Sequence, residues 1–130
     1  MPMSEFSVFE GLEVEQVWVW YSLRLVFDLG PPGKPGSYID ITEFDFTATD
    51  GTLIRISVES DPVAAGAVLG VLHHRMVRAA VEDWVLRLEF DNGAKLVCPP
   101  HERWEAWQAQ LPDAPSAIYC PPGGGPDSPT

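Results

Sequence analysis

The side chains of this chain best suited to catalytic chemistry are three histidines and two cysteines. His101-Glu102 begins like the zinc-binding helix of a metalloprotease, but Glu105 stands where the second histidine is required. His73 and His74 are adjacent, so their side chains diverge and cannot easily bind one ion together. They are better suited to the negative end of a preceding helix. We therefore predict no metal site.

Covalent catalysis also lacks a recognisable setting. Cys98 lies three residues before His101, and two prolines separate them. No serine stands in the Gly-x-Ser-x-Gly turn of hydrolases, and neither a helix nor a lysine that could hold a phosphate follows the glycines at 123–125. We predict no catalytic residue and no cofactor, hence no enzyme. The alternative is an enzyme of unrecognised type, with a pocket that holds His74, His101 or Cys98 beside a carboxylate.

Acidic side chains are the most uneven feature. Nineteen acidic residues against eight basic ones give a net charge of −11, which argues against nucleic-acid binding. Residues 1–61 hold eleven of the acids and three of the bases. One interpretation is a solvated face that maintains solubility. The functional interpretation is a surface that binds a basic protein, with these residues as candidates: Asp40, Glu43, Asp45, Glu59 and Asp61.

Short segments of alternating hydrophobicity must position these residues. We predict strands at 12–20, 23–29, 38–47, 53–59, 75–81, 84–90, 94–98 and 116–120. Hairpin turns at Asp50-Gly51 and Asn92-Gly93, with no crossover helix between strands, favour antiparallel pairing. Short helices are predicted at 63–72 and 101–111. The expected fold is α+β and strand-dominated, a curved or two-layer antiparallel sheet built from hairpins and a meander, with one or two short helices packed on it.

The strand at 38–47 changes phase. Ile39 and Ile41 are at odd positions, whereas Phe44 and Phe46 are at even ones. One regular strand cannot direct all four side chains to the same side. Either a bulge near Thr42 restores the phase, or the strand crosses from one packing surface to another.

Two tryptophans of the first strand ask for an explanation. Trp18 and Trp20 share a face with Leu12 and Val14, while valines occupy the other face. A strand that is apolar on both sides is either central in the fold or partly at an interface. We favour burial in the core. If this is an interface, a homodimer is the simplest form.

The chain organisation indicates one domain. We expect an N-terminal extension at 1–10, a single domain at 11–120 and a flexible Pro/Gly-rich tail at 121–130. No secretion signal and no apolar run long enough to span a membrane is seen, so we expect a cytoplasmic protein. Cys98 and Cys120 are then expected to stay reduced, although a disulfide between them is an alternative.

The hairpin at 86–96, then Pro100, then Glu105-Ala-Trp107, then Pro122-Gly-Gly124, resembles an uncharacterised bacterial family of unknown function that is common in actinobacteria. Small proteins of this type are suspected to be immunity proteins, which neutralise toxins. The resemblance implies a non-enzymatic domain and supplies no catalytic residues.

These observations predict a protein-binding domain, most plausibly immunity-like, that occludes a basic toxin or enzyme. The five acids would present charge, and nearby aromatic residues, including Trp18 and Trp20, would supply contact area. The alternative is a homodimeric module, structural or ligand-binding, with its apolar first strands at the interface.

Overall fold

A computed structural model describes residues 5–32 and 36–125. Within those ranges, ten strands form two five-stranded antiparallel sheets. In spatial order, the first sheet contains β1 (Gln16–Val19), β2 (Leu23–Asp28), β3 (Ser37–Ile41), β9 (Trp107–Gln110) and β10 (Ile118–Tyr119). The second contains β5 (Leu53–Ser57), β4 (Glu43–Thr47), β8 (Lys95–Cys98), β7 (Val85–Phe90) and β6 (Met76–Glu82). The expected strand-dominated, antiparallel α+β class is confirmed.

Two 3-10 segments accompany the sheets, at Glu5–Phe9 and Ala64–Val71. The second confirms the helix predicted at 63–72, as a tighter 3-10 helix, and the first was not predicted. In the described part of the chain, no helix has the length and apolarity needed to cross a membrane.

The phase change within 38–47 marks a crossing between the sheets. Ile39 and Ile41 point into the core from β3, and Phe44 and Phe46 do so from β4. Thr42 alone separates the two strands, which belong to different sheets. The prediction that the chain moves from one packing surface to another here is therefore confirmed.

One hydrophobic core joins the inward faces of both sheets. It includes Phe6 and Phe9 of the first 3-10 segment, both fully buried. Phe6 meets the Trp107 ring edge-on, with the ring centroids 5.3 Å apart and the planes at 85°. Fully burying one such ring contributes about 1.5–3 kcal/mol. The packed structure therefore includes residues before position 11.

The opposite end of the described chain also packs. Asp83 and Trp84 form the β6–β7 turn, both with positive φ, one position later than the predicted turn at Glu82-Asp83. The Trp84 indole Nε1 donates a hydrogen bond to the Gly125 carbonyl at 2.8 Å. Gly124 has a positive φ, and an added Cβ there would lie 3.1 Å from the Trp84 ring. The first residues of the predicted tail at 121–130 are thus held against the domain, and residues 126–130 lie outside the described part.

The helix predicted at 101–111 is wrong. Residues 99–106 follow an irregular path, and Trp107–Gln110 is a strand. Trp107 and Ala109 alternate inward and lie opposite Ile41 and Ile39 of β3. Pairing with β3, which would otherwise be a sheet edge, overrides the local helical spacing.

Burial of the first tryptophans is also wrong. Trp18 and Trp20 are 39% and 43% exposed, whereas Val14 is fully buried. Val14 pairs with His74 instead of continuing β1, because its N–H donates to the His74 carbonyl at 2.9 Å. The predicted strand 12–20 is therefore split, and its second half forms a sheet edge.

Candidate functional site

A cleft of about 530 Å³ opens beside the Thr42 crossing, and five separate segments of the chain line it. We call it the acid–aromatic cleft. The β1–β2 turn, the crossing, the end of β5, the loop at 99–106 and the chain after β10 contribute, respectively, Tyr21 and Ser22; Thr42 and Glu43; Ser57 and Glu59; Arg103, Trp104 and Glu105; and Pro122. No sequence segment contains more than three of these residues, so the fold itself assembles the cleft.

Hydrogen bonds fix the 99–106 loop to the crossing. The Thr42 N–H and the Thr42 hydroxyl both donate to the Ala106 carbonyl, at 3.1 and 3.0 Å. The buried Cys98 thiol also contacts that oxygen, at 3.5 Å. One carbonyl thus joins the loop to the point where the chain changes sheets. This places Trp104 and Glu105 at the cleft wall.

Trp104 is held by a stacked histidine. The rings of His101 and Trp104 lie 3.6 Å apart and within 10° of parallel. The Arg103 N–H donates to His101 Nδ1 at 3.0 Å, so this nitrogen is an acceptor and Nε2 carries the proton of the neutral ring. Nε2 lies 3.3 Å from the Glu43 carboxylate and can donate to it. The aromatic wall is therefore preorganised by a chain of contacts that ends at Glu43.

The cleft has an excess of negative charge. Three glutamates and one arginine line it. Glu43 faces His101, but within residues 5–32 and 36–125 neither Glu59 nor Glu105 has an ion-pair partner. Tyr21 is 75% exposed and Trp104 is 40% exposed. Unpaired carboxylates beside exposed aromatic rings can bind a cationic side chain by charge and by cation–π contact.

The model of one family matches residues 7–126, which include both sheets and the whole cleft. The chain belongs to DUF6188, a family of unknown function. The predicted membership of an uncharacterised family is confirmed at this level. No curated protein and no solved structure gives a significant match to this DUF6188 chain.

The five predicted acids are dispersed over the DUF6188 fold. Glu43 and Glu59 line the cleft. Asp40 accepts two hydrogen bonds from Arg24, at 2.6 and 2.9 Å, and also lines a 170 Å³ depression that shares Ser22, Thr42 and Glu105 with the cleft. Asp45 pairs with Arg55 at 3.2 Å, and Asp61 accepts a bond from the Ala64 N–H at the start of the second 3-10 segment.

The predicted aromatic pair lies on the outer face of the first sheet. The Arg24 guanidinium carbon lies 5.5 and 5.2 Å from the ring centroids of Trp18 and Trp20, and 3.8 Å from that of Tyr38. Asp40 holds the other side of the same guanidinium. Its hydrogen bond is the main reason that the pKa of Arg24 is raised above its ordinary value. Trp18 and Trp20 are therefore organised around a fixed cation.

The candidate catalytic groups of the DUF6188 chain are dispersed. His73 lies 3.5 Å from a Glu13 oxygen and His74 lies 2.7 Å from an Asp91 oxygen, both on the surface. Burial strongly raises the pKa of the Cys98 thiol and raises the pKa of Cys120 to about 11. Both cysteines are free. Over the described ranges, no cluster of three metal-binding side chains occurs.

Sequence reasoning missed four residues of the cleft: Tyr21, Arg103, Trp104 and Glu105. Placing the last three on a helix concealed them, because that helix turned Trp104 toward the core. The prolines at 99 and 100 gave a usable signal, since they favour an irregular segment in which an exposed tryptophan and a carboxylate can share one wall.

Proposed function

We propose that this chain is a non-enzymatic protein-binding domain that binds a basic partner in the acid–aromatic cleft. One observation carries the proposal: the unpaired carboxylates of Glu59 and Glu105 share one cleft with the exposed rings of Tyr21 and Trp104. Aromatic anchors surrounded by complementary charge are typical of protein interfaces.

The charge of the whole chain supports a basic partner. A net charge of −11 attracts a positively charged protein over a distance of about one Debye length, ~8 Å at physiological salt. The cleft then offers carboxylates at close range. Arg103, the single basic residue of the lining, would favour partners that carry one carboxylate among their basic residues.

Within this proposal, the mode of action is occlusion. A basic segment of a toxin or enzyme would enter the cleft and be covered by the 99–106 loop and the β1–β2 turn. The resemblance to suspected immunity proteins supports this finer role.

The placement of the reactive side chains supports binding over catalysis. Cys98 is fully buried and its raised pKa keeps it a neutral thiol, which is a poor nucleophile. His101 uses both ring nitrogens in contacts with Arg103 and Glu43. A general base needs a nitrogen that is free to reach its substrate.

The test compares two doubly substituted variants of equal charge. The tagged chain is used to capture proteins from the lysate of its own organism, and the captured basic protein is identified and purified. Replacing Glu59→Gln together with Glu105→Gln is expected to weaken its binding about tenfold, with a smaller salt dependence. Titration calorimetry at two salt concentrations gives both quantities.

The matched control is Asp83→Asn with Asp113→Asn. Both positions have positive φ, where asparagine is well tolerated, and neither lines the cleft. The control should bind within about twofold of the parent. Equal weakening by both pairs would reduce the effect to net charge and refute the cleft. The immunity role further requires that the captured protein inhibit growth when expressed alone and not when co-expressed with this chain.

A further inference from the structure

Three of the four sheet edges are protected. On β6, the Ala79 N–H donates to the Glu10 carboxylate at 3.2 Å. β5 carries Arg55 at its centre. β10 has two residues and is followed closely by Pro121-Pro122. Covering groups, charges, prolines and short length are the means by which natural sheets prevent an edge from pairing with another chain.

β1 is the exception. Residues 16–21 contain neither a charged residue nor a proline. Trp18, Val19 and Trp20 are each about 40% exposed. Among the described residues, β1 pairs with β2 alone. In a chain that carries 27 charged side chains, this uncharged edge is suited to further strand pairing.

The backbone groups of β1 show which residues can pair. The Trp20 N–H donates to the Ser22 carbonyl at 2.9 Å, so the backbone of Trp20 points toward β2. Alternate residues of a strand direct their N–H and C=O to the same side, so Trp18 and Gln16 also point toward β2. Val17 and Val19 therefore direct theirs to the open side.

We propose that β1 pairs in antiparallel fashion with β1 of a second copy, about a two-fold axis through Trp18. Val17 then lies opposite Val19 of the second copy, and the two residues exchange both backbone hydrogen bonds. Trp18 lies opposite itself, and Gln16 lies opposite Trp20. The first sheets of the two copies join into one ten-stranded sheet.

This register keeps every side chain on its proper face and separates like charges. Val17 and Val19 share the inner face, while Gln16, Trp18 and Trp20 share the outer face, because residues directly opposite in a sheet point the same way. Glu15 meets Tyr21 of the second copy, so no carboxylate faces another. A basic partner finds no complementary charge on this strand, whereas a second copy matches it residue for residue.

The first test is the mass in solution. By light scattering at micromolar concentration, the parent chain is expected to have twice the 14.3 kDa of one chain. Val19→Lys places a charge on the paired edge and is expected to shift the mass to that of a monomer. Leu53→Lys is the matched control, since Leu53 is an exposed residue of the β5 edge, and it should remain dimeric. A monomeric parent at every concentration up to tenths of a millimolar would overturn the proposal.

The second test fixes the register. Residues at a non-hydrogen-bonded antiparallel position have Cα atoms about 4.5 Å apart, within the roughly 4.4–6.8 Å range of disulfides. Trp18→Cys is therefore expected to form a covalent dimer under a mild thiol oxidant. Leu53→Cys measures cross-linking by random collision, and the native Cys98 and Cys120 are fully buried. Cross-linking no faster than in that control would refute the Trp18 axis.

A third measurement covers a variant that fails to fold. Hydrogen exchange of the parent chain should show protection at Val17 and Val19 that increases with protein concentration. Protection that is independent of concentration would contradict pairing between copies. The cleft test changes residues outside β1, so the dimer and the proposed function stand or fall separately.

Discussion

Arg24 shows how one side chain can organise a surface. Its guanidinium is held by two hydrogen bonds to Asp40 and lies against the rings of Trp18, Trp20 and Tyr38. The side chains of Arg24 and Asp40 are only 23% and 14% exposed. Partial burial reduces screening by water, so this pair contributes more than an ion pair in full solvent.

Replacing Arg24→Lys is expected to lower the free energy of unfolding by about 1–2 kcal/mol, although the charge is retained. Lysine cannot form the two-pronged bond to Asp40 or stack its plane on Tyr38. Urea unfolding at fixed protein concentration measures the change. Arg55→Lys is the control, because Arg55 and Asp45 are about half-exposed and their pair is worth about 0–1 kcal/mol. Similar losses at the two positions would contradict a special role for Arg24.

At the next scale, the crossing between β3 and β4 depends on Thr42. Its hydroxyl and its N–H share the Ala106 carbonyl, and its own carbonyl accepts a bond from the Val58 N–H at 3.0 Å. Three segments therefore meet at one residue. The position of the 99–106 loop, and with it the Trp104 wall, follows from this junction.

Thr42→Val removes the hydroxyl while it conserves shape. The Ala106 carbonyl keeps its bond from the backbone N–H, so the expected loss of stability is about 1 kcal/mol. Hydrogen exchange should also become faster in the 99–106 loop. Thr47→Val in β4 serves as the control. Unchanged exchange in the loop would show that the Thr42 hydroxyl does not anchor it.

The elements also show what sequence patterns can predict. The odd-to-even change between Ile41 and Phe44 identified the crossing, because strand periodicity admits few explanations of it. The segment around Trp107 could not be assigned in the same way. Trp104, Trp107 and Leu111 fit a helical period, but Trp107, Ala109 and Leu111 fit a strand period equally well. Only the need of β3 for a neighbouring strand decides between them, and that need is visible in the fold alone. The cleft was unpredictable for the same reason, since five distant segments form it.

For the molecule as a whole, the N-terminal residues belong to the core. Phe6 and Phe9 are fully buried, and Phe9 also packs on Phe27, with ring centroids 5.2 Å apart. Most single domains are stable by about 5–15 kcal/mol. The loss of both rings would therefore remove a large part of the stability.

Phe6→Ala is expected to cost about 3–5 kcal/mol, the usual range for deleting a buried phenylalanine. Val8→Ala in the same 3-10 segment is the control and should be nearly neutral, since Val8 is 46% exposed. Denaturant unfolding followed by circular dichroism measures both. A small effect of Phe6→Ala would instead support the expectation that residues 1–10 are a dispensable extension.

The order of strands in the first sheet has a consequence for biosynthesis. β3 lies between β2 and β9, and its partner residues in β9 come about 70 positions later, as with Ile41 and Trp107. On the ribosome, one side of β3 must therefore wait, unpaired, until nearly the whole chain has emerged. Exposed edges of this kind favour aggregation while folding is incomplete. A nascent chain arrested before residue 107 should thus be a substrate for chaperones, whereas the finished chain should not.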